Sequence, residues 1–489
     1  MSQPNRRDLM LSALASSLAF GVGAARGAEA GPGRPEARLV TTTETTAFST
    51  PAEPVRRSPL TSLLDADLLV REDATFQTMR GFGGCFNELG WVALSALSDA
   101  DRAMLIDELF APGKGANLSA CRLPIGATDF SRSWYSLNET PGDFEMAHFS
   151  IARDREMLIP YIKAAKASRP DLSLWASPWS PPTWMKRNGH YAAAKAPVPG
   201  WPDNGLRPDQ VGHEGQDLFI VEDRYLAAYA LYFRRFVEAY RGEGLPIGVV
   251  MPQNEFNSAQ PFPSCCWTPE GLARFIPYLG REMEPLGVDV VFGTLERGDD
   301  RLFERVYADP AARRYIKGVA AQWAGRRALP FIHHAHPELR VYQSEQECGD
   351  GRNDWRFARY TFTMMRAFIE AGAEVYDDWS MAAPKGGVST WGWPQNAMIS
   401  VDAATRSYTF NPDYWVFKHL SHFVLPGARR VDTMSVSGFD DLLAFINPDG
   451  AIVLALRNAG AKPQTIRVAA RGEVHTAVLA ADSISTLVI

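Results

Sequence analysis

Short apolar runs alternate with longer helix-like stretches along most of the chain. In the stretch 223–244, DRYLAAYALYFRRFVEAYRGEG, apolar residues recur at intervals of three and four. This spacing predicts an amphipathic helix, which ends at the closing glycines. Eight apolar or β-branched runs between such stretches predict eight strands: Met79–Gly84, Leu118–Ile125, Leu172–Ser177, Ile247–Pro252, Val288–Leu295, Gly318–Trp323, Leu339–Ser344 and Glu374–Trp379.

Eight strands that alternate with helices favour an α/β fold of the (β/α)8 TIM barrel type, which we place at residues 66–420. The alternative is an open doubly wound sheet, which needs a phosphate-binding glycine loop after an early strand. The segment GFGGCFNELG at residues 81–90 is rich in glycine, but it lacks the G-x-G-x-x-G spacing. We therefore predict the barrel.

The pattern changes after the barrel. Residues 421–489 contain short strands and turn sequences such as Pro448-Asp449-Gly450, without a long helical period. This predicts an appended antiparallel β-sandwich domain. Residues 31–65 begin as a linker rich in Pro, Thr and Ser and then form a short strand, which we expect to join the sandwich.

Residues 1–30 have the pattern of a secretory signal peptide. Arg6-Arg7 precede an apolar run from Leu9 to Val22 and then small residues. The apolar run is too short to span a membrane, and the paired arginines indicate the twin-arginine route. Ordinary secretion is the alternative. In both cases we expect export to the periplasm or the extracellular space, and no second apolar segment reaches transmembrane length.

The composition narrows the choice of partners. The net charge is -6 and the chain has no long basic run, so nucleic acid and anionic membranes are not expected partners. Thirteen tryptophans are many, and several lie in loop-like stretches. Indole rings suit the apolar faces of sugars, but they are also common in cores, so composition alone leaves both interpretations open.

No metal or other cofactor is expected. The His333, His334 and His336 run lies in the loop that leads into the seventh strand, away from the predicted barrel mouth. The five cysteines have no zinc-site spacing, and we expect buried thiols, with one disulfide as the alternative. These cysteines are Cys85, Cys121, Cys265, Cys266 and Cys348.

Acids, amides and tryptophans follow the ends of the predicted strands, where barrel active sites lie. Glu255 follows the fourth strand and Glu345 follows the seventh. Glycoside hydrolysis needs one protonated and one ionised carboxyl group. A separation of about 5–5.5 Å between them would give retention of configuration, and a wider one would give inversion. Glu347 is a second acid at the end of the seventh strand.

The chain resembles glycoside hydrolase family 30, the glucosylceramidase-like retaining β-glycosidases. The matching segments are GFGGCFNELG, CRLPIGATDFS, LWASPWSPPTWMKRNG, MPQNEFNS, CCWTPEGLARFI, GVAAQWAG and YQSEQECG. They occur in the family's order and cover nearly the whole chain after residue 75. The resemblance implies a (β/α)8 barrel with a side β-sandwich, retaining chemistry and no metal.

The resemblance also implies roles for individual residues. Glu255 matches the family's general acid/base, Glu345 its nucleophile, and Asn254 the amide that binds the sugar 2-hydroxyl. Arg122 matches an arginine near the catalytic carboxylates, and a cation there would keep the nucleophile ionised. The further expected substrate-binding residues are Glu88, Asp129, Trp179, Trp323 and Trp379.

The chain departs from the family pattern at two strand ends. Glu88 stands where the glucosylceramidase-like enzymes have Asp, and Gln322-Trp323-Ala324 replaces a His-Trp-Tyr run. These changes affect the expected sugar more than the mechanism. We prefer Glu345 to Glu347 as nucleophile because the family motif places Ser or Thr just before it.

The sequence therefore predicts a retaining β-glycosidase that acts by double displacement on a β-glucoside or related hexoside. The substrate is expected to be a glycoside, an oligosaccharide or a polysaccharide. A transglycosylase and a non-catalytic carbohydrate-binding protein on the same barrel are the alternatives. We expect the long insertion from Asn188 to Glu222, which follows the third strand, to shape the leaving-group side of the site.

Overall fold

The structure, a computed structural model, describes residues 36–489, so the predicted signal peptide lies outside the described residues. Eight parallel strands close into a barrel in the order β10-β11-β4-β5-β6-β7-β8-β9. The prediction of a TIM barrel is confirmed, and each strand overlaps its predicted run. The barrel strands are β4 (Gly81–Cys85), β5 (Ala120–Pro124), β6 (Ser173–Ser177), β7 (Val249–Val250), β8 (Asp289–Leu295), β9 (Ile316–Gln322), β10 (Arg340–Glu345) and β11 (Ala373–Ser380).

Helices surround the barrel and bury their apolar faces against it. The helix predicted from the period of residues 223–244 is α4, and it buries Leu226, Phe233 and Val237 on one face. The α-helices are α1 (Glu88–Ser95), α2 (Asp99–Phe110), α3 (Leu158–Ser168), α4 (Asp223–Gly242), α5 (Pro269–Met283), α6 (Arg301–Tyr307), α7 (Pro310–Arg313), α8 (Leu329–Ala335), α9 (Trp355–Glu370) and α10 (Pro412–Ser421). Among residues 36–489, no helix combines the length and apolar character needed to cross a bilayer.

The lower part of the barrel interior is filled. Trp175, Met251 and Tyr342 pack there with small and β-branched residues from the other strands. This layer separates the two ends of the barrel interior, and barrel active sites lie at the carboxyl ends of the strands.

A second domain forms one nine-stranded sheet with the order β1-β20-β17-β16-β15-β3-β18-β19-β2. Strands from its two ends contribute to one apolar core, which includes Leu39, Leu487 and Leu479. The sheet therefore folds over itself, as expected for the predicted sandwich. Its strands are β1 (Arg38–Thr42), β2 (Arg56–Pro59), β3 (Leu68–Thr78), β15 (Arg429–Ser435), β16 (Leu442–Ile446), β17 (Ile452–Asn458), β18 (Gln464–Ala470), β19 (Glu473–Leu479) and β20 (Ser483–Val488).

The boundary between the two domains differs from the one drawn at residue 66. Strand β3 pairs with β15 and β18 of the sandwich sheet rather than with a barrel strand. Its period-two pattern is that of any half-exposed strand, so sequence does not say which sheet it joins. The N-terminal strand β1 pairs with the last strand, β20.

A third, small sheet follows the last barrel strand. It consists of β12 (Ala382–Pro384), β13 (Ile399–Asp402) and β14 (Ser407–Phe410). The connection from β12 to β13 covers residues 385–398 and places two tryptophans and a glutamine over the barrel mouth. We call this connection the β12–β13 loop.

Candidate active site

A pocket opens at the carboxyl ends of the barrel strands. Six of the nine predicted site residues line it, and the other three, Arg122, Trp379 and Glu88, do not. Its lining consists of Asp129, Trp179, Asn254, Glu255, Gln260, Phe262, Glu296, Trp323, Glu345, Cys348, Trp393 and Gln395.

Glu345 is the last residue of β10, and both of its carboxylate oxygens have partners. Arg122 Nη1 donates to Oε2 at 2.9 Å, and the indole N–H of Trp323 donates to Oε1 at 3.1 Å. Burial raises the pKa of Glu345, whereas the charge of Arg122 and the bond from Trp323 lower it. The cation and the indole therefore favour the ionised form.

Arg122 lies on β5 below the pocket and is fully buried. Its Nη2 donates to Asn254 Oδ1 at 2.7 Å and to Ser177 Oγ at 2.7 Å, and its guanidinium lies 4.2 Å from the ring centre of Trp179. One rigid guanidinium thus connects Glu345 on β10 to the amide that follows β7.

Glu255 is held by its backbone. Strand β7 has only two residues, and the chain turns after it. In this turn the Asn254 N–H donates to the Pro178 carbonyl. The Glu255 N–H donates to Thr294 Oγ1 at 2.8 Å. Glu255 has φ +46°, a left-handed conformation that is unfavourable for a residue with a side chain. The Thr294 bond helps to offset this strain.

Few hydrogen bonds stabilise the ionised form of the Glu255 carboxyl group. Gln322 Nε2 donates to Oε1 at 3.3 Å, and Oε2 is buried without a hydrogen-bond partner among the described residues. Burial raises the pKa of Glu255 well above its usual range, and the negative charges of Glu296 and Glu345 raise it further. The two carboxyl groups therefore have opposite environments, one poised to hold a proton and the other paired with a cation.

Asp129 and Gln395 form a polar pair at another part of the pocket wall. Gln395 Nε2 donates to Asp129 Oδ2 at 2.9 Å, and Gln395 Oε1 has no partner in the described part of the chain. Burial, followed by the charge of Glu345, raises the pKa of Asp129 to about 7. The pair offers a donor and acceptor set of the kind that binds vicinal hydroxyls.

The three predicted aromatic residues lie close together. Trp179 and Trp323 line the pocket, and Trp379 lies behind Trp179 with ring centres 5.4 Å apart. Trp379 also contacts Phe130 edge to face, at 6.1 Å. Trp379 is thus placed to support the pocket wall rather than to form its surface.

Glu88 is not brought into the pocket. It is the first residue of α1 and is buried, and its carboxylate accepts from Arg153 Nε at 2.9 Å and from the Arg132 N–H at 2.7 Å. Both oxygens are occupied by these arginines. Glu88 follows the end of the first barrel strand, as the sequence indicates, but its side chain points to Arg132 and Arg153 instead of the pocket.

Glu347 also lies away from the pocket. Strand β10 ends at Glu345, so the alternation that would place both acids on one face does not continue. Glu347 pairs with Arg326 and accepts from the Tyr360 hydroxyl at 3.1 Å.

Several lining residues were not among those predicted from the sequence. Gln395 and Trp393 belong to the β12–β13 loop, which has no period that predicts its path. Gln260 and Phe262 lie only a few residues after Glu255, so proximity along the chain was their one signal. Glu296 directly follows β8, and Cys348 lies shortly after β10. The rule that selected Glu345, an acid at a strand end, also selects Glu296.

Among the described residues, the histidines and cysteines singled out in the sequence form neither a metal site nor a disulfide. His336 Nε2 lies 2.9 Å from Glu304 Oε1, and none of residues 36–489 forms a group of three or more metal-binding side chains. All five cysteines are buried and free in the structure, so the alternative of one disulfide is wrong.

Comparisons with known proteins agree with this architecture. Residues 79–424 match the glycosyl hydrolase family 30 TIM-barrel domain, and residues 427–487 match the family 30 beta sandwich domain. The lysosomal acid glucosylceramidase of Mus musculus is 28% identical over 432 residues, covering 82% of this chain and 79% of that protein. An endo-1,6-beta-D-glucanase of Neurospora crassa is 24% identical over 442 residues, covering 84% and 85%.

Solved structures show the same fold. SrfJ from Salmonella typhimurium superposes with a TM-score of 0.80 at 23% identity, covering 93% of this chain and 99% of that one. The endo-beta1,6-glucanase BT3312 superposes with a TM-score of 0.78 at 23% identity, with the same coverage.

Proposed function

The chain belongs to glycosyl hydrolase family 30 and is a glycoside hydrolase, and we propose that it is a retaining β-glycosidase with Glu345 as nucleophile and Glu255 as acid/base. The observation that carries the proposal is the contrast between the two carboxyl groups. Arg122 and Trp323 bind Glu345, whereas Glu255 is buried among acidic side chains without a cationic hydrogen-bond partner among the described residues.

In the first step, a Glu345 oxygen attacks the anomeric carbon and the glycosidic C–O bond breaks. Glu255 gives its proton to the departing oxygen, so the aglycone leaves as an alcohol. Arg122 and Trp323 fix the direction of the attacking carboxylate. Asn254, held by Arg122 at 2.7 Å, is placed to bind the sugar hydroxyl next to the reacting carbon.

In the second step, Glu255 changes from acid to base. The ester on Glu345 carries no charge, so one of the negative charges that raised the pKa of Glu255 is gone. Glu255 takes a proton from water, the water oxygen bonds to the anomeric carbon, and the ester bond breaks. The sugar leaves with its original configuration.

We propose a β-glucoside as the sugar class. Two relatives over most of the chain are named a glucosylceramidase and an endo-1,6-beta-D-glucanase. Both names contain a glucose unit, and the second specifies a β linkage. Asp129 and Gln395 provide the hydroxyl-binding groups, and Trp179 and Trp323 provide flat walls.

Azide rescue on aryl β-glycosides tests this assignment. Wild type should hydrolyse an aryl β-glucoside faster than the matching galactoside, xyloside, fucoside and glucuronide. Glu345→Ala should be inactive and regain turnover with azide, giving the α-glycosyl azide, whereas Glu255→Ala should give the β-glycosyl azide. Full activity of Glu345→Ala, or no activity of wild type on any β-glycoside including polymers, would overturn the proposal. Product analysis with an added sugar acceptor separates hydrolysis from transfer.

We also propose that the protein is exported, on the basis of the Arg6-Arg7 and apolar leader pattern in residues 1–30. Expression with Arg6→Lys and Arg7→Lys together should retain the protein in the cytoplasm if the twin-arginine route is used. Unchanged export of the double variant would indicate ordinary secretion.

A further inference from the structure

Glu296 is an acidic pocket residue to which the mechanism above gives no role. It directly follows strand β8 and lines the same pocket as Glu255. Its side chain is 14% exposed, and its Oε2 is buried without a partner among the described residues. Glu296 therefore shares one pocket with Glu255 and Glu345, and the contacts that hold Glu296 determine where its charge lies.

A second ion pair holds Glu296 in place. Arg297 Nη1 donates to Glu296 Oε1, and Arg297 Nη2 donates to Glu214. The same Nη2 lies 3.4 Å from Ser258 Oγ, on the loop that carries Glu255. Glu214 belongs to the insertion 188–222, so the insertion reaches the pocket through one arginine. The ion pair with Arg297 fixes the Glu296 carboxylate at the pocket wall.

The charges around Glu255 are unbalanced. Glu296 after β8, Glu345 on β10 and Asp129 after β5 bring acidic groups to it. Arg122 donates to Asn254 and Glu345, and Arg297 donates to the two acids beyond Glu255. The neutral amides that face Glu255 are those of Gln322 and Gln260.

Among these groups, Glu296 has the largest effect on Glu255. After burial, its negative charge is the strongest cause that raises the pKa of Glu255, ahead of Glu345 and Asp129. Independently of this charge effect, Glu296 lines the same pocket as Glu255, and Arg297 fixes it there.

We propose that Glu296 is a positioning residue, a third carboxylate that holds the acid/base proton on Glu255, and that Glu214 of the insertion fixes it there through Arg297. The inference rests on the proposed function. The same role of Glu296 also accounts for the second step, in which Glu255 must act as a base. When Glu345 becomes an uncharged ester, Glu296 is still negative and supports proton transfer from water to Glu255.

The test is the pH profile of kcat/KM for an aryl β-glucoside with a poor leaving group. The alkaline limb reports loss of the Glu255 proton, and Glu296→Gln removes the negative charge that retains it. We expect that limb to move to lower pH by about one unit. Glu296→Asp keeps the charge and should keep the limb. Glu270→Gln, which breaks a surface ion pair with Arg305, is the matched control and should leave the profile unchanged.

A purely structural role would lower kcat/KM without moving the alkaline limb, and that result would overturn the inference. A substrate-free measurement separates this failure from failure of the proposed function. The carboxyl carbon of Glu255 can be titrated by NMR in protein labelled at the glutamate side chains, with Glu255→Gln as the assignment control. Equal titration midpoints in wild type and Glu296→Gln would reject the role of Glu296 even if the enzyme is active.

Discussion

Arg122 Nη1 donates to Glu345 Oε2 at 2.9 Å, and the other terminal nitrogen of the same guanidinium donates to Asn254 Oδ1 at 2.7 Å. One buried cation therefore sets both the charge of the proposed nucleophile and the orientation of the amide beside the proposed acid/base. Because the guanidinium is planar and fully used by its partners, neither contact can change without the other.

Replacement of Arg122 should affect the acidic side of the pH profile. Arg122→Gln removes the cation, so the pKa of Glu345 should rise and the acid limb of kcat/KM should move to higher pH. We also expect kcat to fall at least about 100-fold, because the carboxylate and Asn254 lose their shared support. The measurement is a pH–rate profile on an aryl β-glucoside.

Because a buried arginine also contributes to folding, Arg122→Lys serves as the second variant. It keeps the charge but not the planar geometry, so its acid limb should stay near that of wild type while kcat falls. Circular dichroism would establish that both variants are folded. An unmoved acid limb in folded Arg122→Gln would contradict the role assigned to the cation.

Glu347 should be dispensable for the chemistry. Its carboxylate is taken by Arg326 and Tyr360 and is not part of the pocket lining. We expect Glu347→Gln to retain activity within about tenfold, whereas Glu345→Gln loses about 1,000-fold or more. Trapping with a 2-fluoro glycoside, followed by peptide mass mapping, should label the peptide at Glu345. Label on Glu347 would reverse the assignment.

The barrel and the two catalytic candidates follow from the sequence because parallel strands converge at their carboxyl ends. Glu255 and Glu345 could be selected without tertiary information, since each lies at or shortly after the end of a predicted strand. Gln395 could not be selected, because its place over the pocket depends on loop contacts such as the Gln395 N–H to the Gly387 carbonyl. Glu88 follows a strand end as expected, but Arg132 and Arg153 from a distant segment determine where its carboxylate points.

The insertion 188–222 should affect the leaving group more than the sugar. Trp201 packs edge to face on Trp393 with ring centres 5.7 Å apart, and Trp393 lines the pocket. Gly392 leaves room for this ring, because a Cβ built there would lie 3.0 Å from Trp201 Cγ. Trp201 is therefore placed beside the pocket mouth without being part of its lining.

We expect Trp201→Ala to lower kcat/KM for a β-linked glucose oligosaccharide about 3- to 10-fold, the range of one aromatic contact. Hydrolysis of a small aryl β-glucoside should change much less. Phe331→Ala, at an exposed position on α8, is the control. Equal losses on both substrates would show that the insertion does not distinguish the leaving group.

Asp154 should make the fold less stable as pH rises. Its carboxyl accepts from the Tyr135 and Tyr240 hydroxyls, and burial raises its pKa to about 7. The folded state therefore holds a proton that the unfolded chain releases above about pH 4. The resulting stabilisation is complete below pH 4 and is lost by about 1.4 kcal/mol per pH unit up to about pH 7.

Asp154→Asn removes this titration. Its melting temperature relative to wild type should rise from pH 4 to pH 7 and stay level above that. Asp73→Asn, at an exposed site without an ion pair among the described residues, should follow wild type throughout. A constant difference between Asp154→Asn and wild type over the range would contradict the raised pKa.

His419 lies at the contact between α10 and the sandwich and should make the fold less stable as pH falls. Thr486 Oγ1 donates to the His419 carbonyl at 2.7 Å, so its oxygen accepts from Nδ1–H at 2.9 Å. Thr42 Oγ1 accepts from the Phe48 N–H and lies 2.9 Å from Nε2, so its proton is available for that nitrogen. These bonds suit a neutral ring, and burial lowers the pKa of His419 to about 3.

A lowered histidine pKa means that the unfolded chain binds a proton below about pH 6.5 while the folded protein does not. Stability should therefore decrease as pH falls from about 6.5, by about 1.4 kcal/mol per unit for this group.

His419→Asn keeps a donor towards Thr486 but does not titrate. Its melting temperature should be below that of wild type at pH 7, and the gap should narrow towards pH 5. His213→Asn, at an exposed position, should leave both values unchanged. A gap that stays constant or widens on acidification would mean that His419 is charged in the folded protein.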